Sequence, residues 1–153
     1  MEAGRLNAYE AAPEAMRAVQ RVEGYIQQCG LEKSLIELVK MRASQINGCA
    51  YCLHVHSKDA RSAGETEQRL YLLDAWHESN LYSRRERAAL AWAESLTNIA
   101  ATHAPDDVYA EARSQFSEKE LADLSIAIAM INAWNRLSIG SRAVHPSDVR
   151  KAA

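Results

Sequence analysis

The chain has 153 residues, of which 48% are apolar and 25% are charged, and its formal net charge is -2. That length suffices for one domain with a buried core. The small net charge provides no electrostatic footprint for nucleic acid or an anionic membrane, so we expect neither partner. No run reaches the roughly 18 apolar residues that a membrane span needs, and the N-terminus lacks a signal-peptide pattern. We therefore expect a cytoplasmic protein.

Strong helix formers dominate the sequence, whereas only six glycines and three prolines occur. We therefore predict an all-α fold, a single-domain helical bundle of about six to seven helices. The domain is expected to span residues 1–153, with its core at about 15–141.

The first two helices are predicted from their end signals. One starts after Pro13 and runs to about Cys29, where Gly30 can end it. The next is expected to begin at Ser34, because Glu37 stands three residues later in capping-box position.

That second helix should end at Asn47-Gly48, a pair that suits a tight turn. A third helix follows from Cys49 to about Ala63 and stops at Gly64. The remaining helices are predicted over residues 66–76, 83–96, 105–116 and 121–139.

The last predicted helix is apolar most of the way round. We expect it to be central or to lie in a subunit interface. Its start carries a capping-box pattern at Ser117 and Glu120, as does an earlier helix at Ser83 and Glu86. The tail from Ser141 is expected to be peripheral.

The chemistry-bearing stretch covers residues 37–56, ELVKMRASQINGCAYCLHVH, and contains a C-x-x-C pair. With Cys49 placed at the origin of a helix turning about 100° per residue, Cys52 falls at about 300° and His56 at about 340°. His54 falls at about 140°, on the opposite side. The spacing therefore puts two thiols and one imidazole on a single stripe.

This stripe suits thiol redox chemistry. The imidazole of His56 can accept a thiol proton, and a helix N-terminus lowers the pKa of nearby thiols. A thiolate attacks peroxides or disulfides, and a second cysteine can condense with the resulting sulfenic acid. The helix dipole favours Cys49 as the nucleophile, because it is nearer the N-terminus. The histidine spacing favours Cys52.

Glu37 has two interpretations. It can complete a capping box with Ser34. Alternatively, an antiparallel pair of helices could bring its carboxylate to His56, which it would orient and charge-stabilise, directly or through a water. The spacing alone does not choose between these roles.

Other patterns are less consistent with the sequence. Cys49, Cys52 and His56 could supply three zinc ligands, but no second pair follows at finger-like spacing, so we expect no metal. Leu53 follows the second cysteine where covalent haem attachment needs histidine. An inert, packed cysteine pair is a further alternative, and Cys29 is interpreted as a packed residue.

A polar patch interrupts the last helix at Asn132, Trp134, Asn135 and Arg136. We expect the two asparagines to satisfy buried polar groups, because buried polar atoms need partners. The alternative is that they line the mouth of the thiol site.

The pattern E-x(11)-C-x-x-C-x(3)-H resembles the core of the alkylhydroperoxidase-D-like proteins, within the carboxymuconolactone decarboxylase superfamily. The segment RASQINGCAYCLHVHSKDARSAGETEQRLYLLDAW is similar to that core over its whole length. RERAALAWAESLT and INAWNRLSI also resemble members of the small single-domain branch. The resemblance covers residues from about 15 to 141.

The resemblance implies an all-α fold assembled as a homo-oligomer, a trimer or a hexamer. It also implies a thiol-dependent peroxidase that reduces hydroperoxides, is re-reduced by an external dithiol and needs no cofactor. By the same resemblance Glu37 is the proton-relay glutamate, Cys49 the resolving cysteine, Cys52 the peroxidatic cysteine and His56 the relay histidine.

Tyr51 departs from the family pattern. The well-studied type member has a histidine just before the second cysteine, and that residue assists the relay. A phenol with a pKa near 10 cannot act as a base at neutral pH. Tyr51 can still donate a hydrogen bond, but the full efficiency of the family's relay does not carry over to this chain by resemblance.

Two rival functions remain. The chain could be a decarboxylase or lactone-handling enzyme of the same superfamily, although such enzymes do not need paired thiols. It could also be a non-catalytic module, either redox-sensing or stabilised by zinc.

Overall fold

The computed structural model describes residues 4–144, which form nine α-helices, one 3₁₀-helix (Leu73–Ala75) and no strand. The α-helices are α1 (Ala8–Ala11), α2 (Pro13–Ile26), α3 (Lys33–Asn47), α4 (Ala50–Ser62), α5 (Glu67–Leu72), α6 (Arg84–Thr97), α7 (Ile99–Thr102), α8 (Asp106–Gln115) and α9 (Glu118–Ser141). The all-α prediction is confirmed. The predicted number of six to seven is wrong, because α1 and α7 are single turns, too short to show helical periodicity.

Two of the predicted capping boxes are confirmed. Ser83 accepts the backbone N–H of Glu86, and the Glu86 carboxylate accepts the backbone N–H of Ser83, at the start of α6. Ser117 and Glu120 make the same reciprocal pair at the start of α9. These local contacts satisfy backbone donors that a helix leaves free at its N-terminus, and they fix where both helices begin.

The third predicted cap, at the start of α3, is wrong. The helix begins at Lys33 after an N-cap at Glu32, and no side chain caps it. Ser34 therefore lies inside the first turn. Glu37 is buried and directs its carboxylate to another helix, so the capping interpretation of this residue is overturned by a tertiary contact.

Two helices end earlier than predicted. α2 ends at Ile26 instead of Cys29, because the chain after it forms a tight hydrogen-bonded turn. The helix predicted through Trp76 stops at Leu72 and continues as the short 3₁₀-helix.

Helix α3 is the centre of the fold. It packs against α4, α6 and α9 and lies between two apolar cores. Its residues from Leu35 to Met41 are all buried, which includes the charged residues Glu37 and Lys40. Buried charges need partners, so α3 brings two obligatory polar contacts into the middle of the molecule.

Helix α9 is central, as predicted. It packs against α2, α3, α4, α6 and α8. One side buries large apolar residues, whereas other apolar side chains on the helix, Ile126, Leu137 and Ile139, are exposed. No helix within residues 4–144 is both long and apolar enough to cross a membrane. Most of the predicted peripheral tail lies outside the described residues.

Candidate active site

The turn between α3 and α4 positions the two cysteines. Gly48 ends α3 with φ of 68°, a left-handed conformation that favours glycine. Cys49 follows at once as the N-cap of α4, and its sulfur accepts the backbone N–H of Cys52 at 3.4 Å. The tight turn folds α4 back along α3, so residues early in α3 face residues late in α4.

Glu37 and His56 meet across this helix pair. The Oε2 atom of Glu37 lies 2.8 Å from Nδ1 of His56, and the two side chains are 2% and 14% exposed. A carboxylate on Nδ1 fixes the ring orientation and leaves Nε2 as the nitrogen available for proton exchange. The carboxylate-to-imidazole contact considered from the sequence is therefore present and direct.

The two cysteine sulfurs lie 2.8 Å apart, and both residues are buried. The structure shows them as free thiols. A disulfide bond is about 2.05 Å long, so a small approach of the sulfurs would close one. The pair is therefore placed for reversible disulfide formation within α4 and its cap.

The thiols have strongly unequal pKa values. A hydrogen bond from the Cys52 thiol lowers the pKa of Cys49 to about 6; burial opposes this shift, and the backbone N–H of Cys52, Asn135 and Ser138 support it. The same hydrogen bond and burial raise the pKa of Cys52 well above its usual range. In this arrangement the negative charge of the pair is therefore on Cys49.

Accessibility favours the other sulfur. A cavity of about 350 Å³ is lined by Cys52, His56 and Glu37, whereas Cys49 lies behind Cys52 and does not line it. Access decides which sulfur meets a substrate. Transfer of the proton from Cys52 to Cys49 along the hydrogen bond between the sulfurs moves the negative charge to Cys52. The low pKa of Cys49 and the exposure of Cys52 to the cavity are therefore both compatible with attack by Cys52.

His56 makes no hydrogen bond to either sulfur within the described residues, although it shares the cavity with Cys52. The helical stripe predicted from the sequence therefore brings the groups to one cavity but not into direct contact. A proton passing between Cys52 and His56 needs a water or a substrate oxygen between them.

The low pKa of Cys49 leads to a testable prediction for the reduced protein. In a Cys29→Ser background, we expect the ultraviolet thiolate absorbance to rise with pH around a midpoint of about 6. Cys52→Ala removes the hydrogen-bond donor and should move the midpoint for Cys49 upward. A single rise at the ordinary cysteine pKa of about 8.5 in both proteins would contradict the shared-proton arrangement.

Asn135 and Ser138 support the thiol pair from α9. Asn135 is fully buried, donates to Ser44 Oγ at 3.0 Å, accepts from Asn47 Nδ2 at 2.8 Å and helps to lower the pKa of Cys49. Ser138 Oγ lies 3.8 Å from Cys52 Sγ. The sequence interpretation missed Ser138, although its spacing of three residues from Asn135 places it on the same helix face.

Asn132 has the structural role expected from the sequence. It donates to Thr97 Oγ1 and to the backbone oxygen of Ile128, and it accepts from Asn47 Nδ2. Asn135 also satisfies the expectation for buried polar partners. Asn135 is fully buried and lines neither of the two cavities at the thiols, so the alternative that it lines the mouth of the site is not supported.

A buried ion pair also lines the cavity. Lys40, only 1% exposed, is paired with Glu23, which accepts a further hydrogen bond from Nε1 of Trp134 at 3.4 Å. Burial raises the pKa of Glu23, but Lys40 and its other donors outweigh burial and hold that pKa below its usual value. Sequence reasoning missed this pair because its partners lie on separate helices, 17 residues apart.

A second chamber of about 400 Å³ adjoins the cavity. The two share Tyr9, Tyr51, Trp134 and Ser138. Tyr51, the departure from the family pattern, is 36% exposed and stands between the two spaces. The thiol site therefore opens toward an aromatic-lined chamber.

A sequence profile of the carboxymuconolactone decarboxylase family matches residues 13–95. The chain belongs to this family. It is also 45% identical to the uncharacterized protein YdfG of Bacillus subtilis, over 91% of this chain and 96% of that one. The resemblance seen in the sequence is thereby confirmed.

Solved structures place the chain among the alkylhydroperoxidase-D-like members of the carboxymuconolactone decarboxylase family. One is a protein of unknown function from Agrobacterium tumefaciens, suggested to be the antioxidant defence protein AhpD. It matches with a TM-score of 0.91 and 45% identity over 94% of this chain and 99% of its own. The debrominase Bmp8 has the same fold, with a TM-score of 0.81 at 21% identity over 93% and 76% of the two chains. The fold thus occurs with different activities.

Proposed function

We propose that this protein is an oxidoreductase, a thiol-dependent peroxidase that reduces hydroperoxides through Cys52 and Cys49. One observation carries the proposal. Cys52 is the sulfur that lines the cavity, and the Glu37–His56 pair lines the same space. Nucleophile, proton acceptor and orienting carboxylate are the groups that this reaction requires.

In the first step the Cys52 thiolate attacks the terminal peroxide oxygen. The sulfur–oxygen bond forms, the oxygen–oxygen bond breaks, and Cys52 becomes a sulfenic acid. The departing alkoxide takes a proton from Nε2 of His56, which Glu37 holds through Nδ1. The relay thus first removes and then returns one proton.

In the second step Cys49 attacks the Cys52 sulfenic acid. The disulfide forms and water leaves. The 2.8 Å separation of the sulfurs supports this step. An external dithiol then reduces the disulfide by thiol–disulfide exchange, so the cycle consumes one dithiol for each hydroperoxide. We propose no cofactor for this chemistry.

The neighbouring chamber supports the proposal that the substrate is an organic hydroperoxide. Its aromatic and aliphatic lining can bury the apolar part of a substrate while the peroxide group reaches Cys52.

We further propose a cytoplasmic homo-oligomer. A close cysteine pair that cycles between thiols and a disulfide suits the cytoplasm, where a permanent structural disulfide is rare. The exposed apolar residues of α9, Ile126, Leu137 and Ile139, support burial against another copy of the chain.

The test is hydroperoxide consumption by the purified protein with several dithiol donors. Stoichiometric oxidation of the donor is expected, and the Cys49→Ala, Cys52→Ala double variant should be inactive. Full activity of the double variant on a lactone or carboxylate substrate would favour the decarboxylase rival. Stoichiometric zinc with no peroxide-dependent loss of thiols would favour the non-catalytic rival.

A further inference from the structure

A second carboxylate lies at the imidazole of His56. Asp59 follows His56 by three residues on α4, the spacing that places two side chains on one helix face. Ligand atoms of Asp59, His56 and Glu37 all lie within 4.8 Å of one another. The half-buried Asp59 side chain makes no hydrogen bond or ion pair with any residue from 4 to 144. The proposed peroxidase steps make no use of it.

The charges that line the cavity do not balance the negative charge of the Asp59 carboxylate. The cavity lining includes the acidic residues Glu23, Glu37 and Asp59. It also includes the basic residue Lys40. Lys40 is paired with Glu23, so its charge is already matched. Two carboxylates then remain beside one imidazole, in a partly buried space where unbalanced like charge is costly. A cation would relieve that repulsion.

The donor set is one that helical proteins use for metals. A histidine and a carboxylate three residues apart on one helix, with a carboxylate from a facing helix, recur in metal sites of helical bundles. Zinc–nitrogen and zinc–oxygen bonds are about 2.0–2.2 Å long, so ligand atoms around one ion lie roughly 3–3.5 Å apart. Here the ligand atoms of Glu37 and His56 lie 2.8 Å apart, and those of all three residues lie within 4.8 Å of one another. The separation that zinc requires falls between these two values.

We propose that Glu37, His56 and Asp59 form a binding site for a divalent transition-metal ion such as Zn²⁺. The site differs from the thiolate zinc site considered from the sequence, because it uses no sulfur ligand. Three protein ligands leave the fourth zinc position open toward the cavity.

The proposed consequence is reversible inhibition. The ion takes the Glu37 oxygen and His56 nitrogen that the proton relay needs, so bound metal and proton transfer exclude each other. This consequence rests on the proposed peroxidase function, whereas the metal site itself does not.

Metal binding is tested first, by calorimetric titration of Zn²⁺. The Cys49→Ser, Cys52→Ser variant, made in a Cys29→Ser background, removes every thiol, and the disulfide form of the Cys29→Ser chain provides a second thiol-free sample. One Zn²⁺ per chain is expected in both. Introducing Asp59→Asn into this variant should lower the affinity for Zn²⁺ about tenfold or more. Loss of a group that only supports a metal ligand already lowers metal affinity by that factor. Asp106→Asn, an exposed carboxylate at the start of α8, is the matched control.

Circular dichroism melts confirm that each variant is folded. Absence of Zn²⁺ binding in both thiol-free samples would overturn the site, as would binding that Asp59→Asn leaves unchanged. The inhibition is tested separately, as Zn²⁺ dependence of peroxide consumption in the wild type, Asp59→Asn and Asp106→Asn. Asp59→Asn should need about tenfold more Zn²⁺ for half-inhibition. Equal sensitivity of the three would overturn the inhibition. A chain that binds Zn²⁺ but consumes no peroxide would retain the site and refute the peroxidase.

Discussion

Replacing Cys52 by serine is expected to abolish hydroperoxide consumption, with a loss of about a thousandfold or more, the size typical of a removed nucleophile. Cys52 is the sulfur that lines the cavity, and a serine hydroxyl cannot replace a thiolate as the nucleophile. The measurement is the steady-state rate of peroxide loss with a saturating dithiol.

Cys49→Ser is the matched control, because it removes a buried thiol 2.8 Å away by the same substitution. This variant should still consume one equivalent of peroxide per chain and then stop, since Cys52 can be oxidised but not resolved within the pair. A Cys52→Ser variant with near-normal turnover would contradict the assignment of the nucleophile.

The second large effect is expected for Glu37→Gln. The amide preserves the size of the side chain and can still accept a hydrogen bond from Nδ1 of His56. It cannot stabilise an imidazolium, so the rate of peroxide reduction should fall about 100-fold, within the range of general acid–base contributions. The pH profile of the rate should also change, because the charged form of His56 loses its counterion.

Glu94→Gln is the control for this substitution. Glu94 also binds a histidine, His77 Nε2 at 3.2 Å, and it is partly buried, but it does not line the thiol cavity. Its loss should lower thermal stability and leave the peroxidase rate within about twofold, because it accepts from Trp76 and Arg42 outside the site. Equal rate losses in both variants would indicate a general destabilisation instead of a relay.

Local patterns in the sequence predicted much of the fold correctly. The boxes at Ser83 and Ser117 form as predicted, because both partners lie within one helical turn. Gly48 ends α3 as predicted because only its backbone readily adopts the left-handed conformation there. The hydrogen bonds that define these features run between neighbouring residues, so a local pattern can predict them.

The same local pattern failed at Ser34. Its partner Glu37 lies on a helix that is buried on several sides, and a contact 19 residues away in sequence determines the carboxylate position. The pairing of Lys40 with Glu23 has the same origin. No single-helix periodicity can reveal which buried charges meet between helices, so these parts of the site became visible only in the folded chain.

Helical spacing selected His56 over His54, and the structure places His56 at the cavity with Glu37 and Cys52. Spacing did not reveal that Cys49 lies behind Cys52, nor that Asn135 and Ser138 approach from α9. Those contacts depend on how α9 crosses the turn between α3 and α4. The roles of the four predicted residues stay predictions that the variants above will decide.

The assignment of Cys52 as the attacking thiol is tested most directly by trapping its sulfenic acid. Each single cysteine-to-serine variant is treated with one equivalent of hydroperoxide and a sulfenic-acid reagent, and the modified residue is located by peptide mass spectrometry. Modification of Cys52 in the Cys49→Ser variant, with Cys49 unmodified in the Cys52→Ser variant, is the predicted result. Modification of Cys49 in the Cys52→Ser variant, with none on Cys52 in the converse variant, would contradict it.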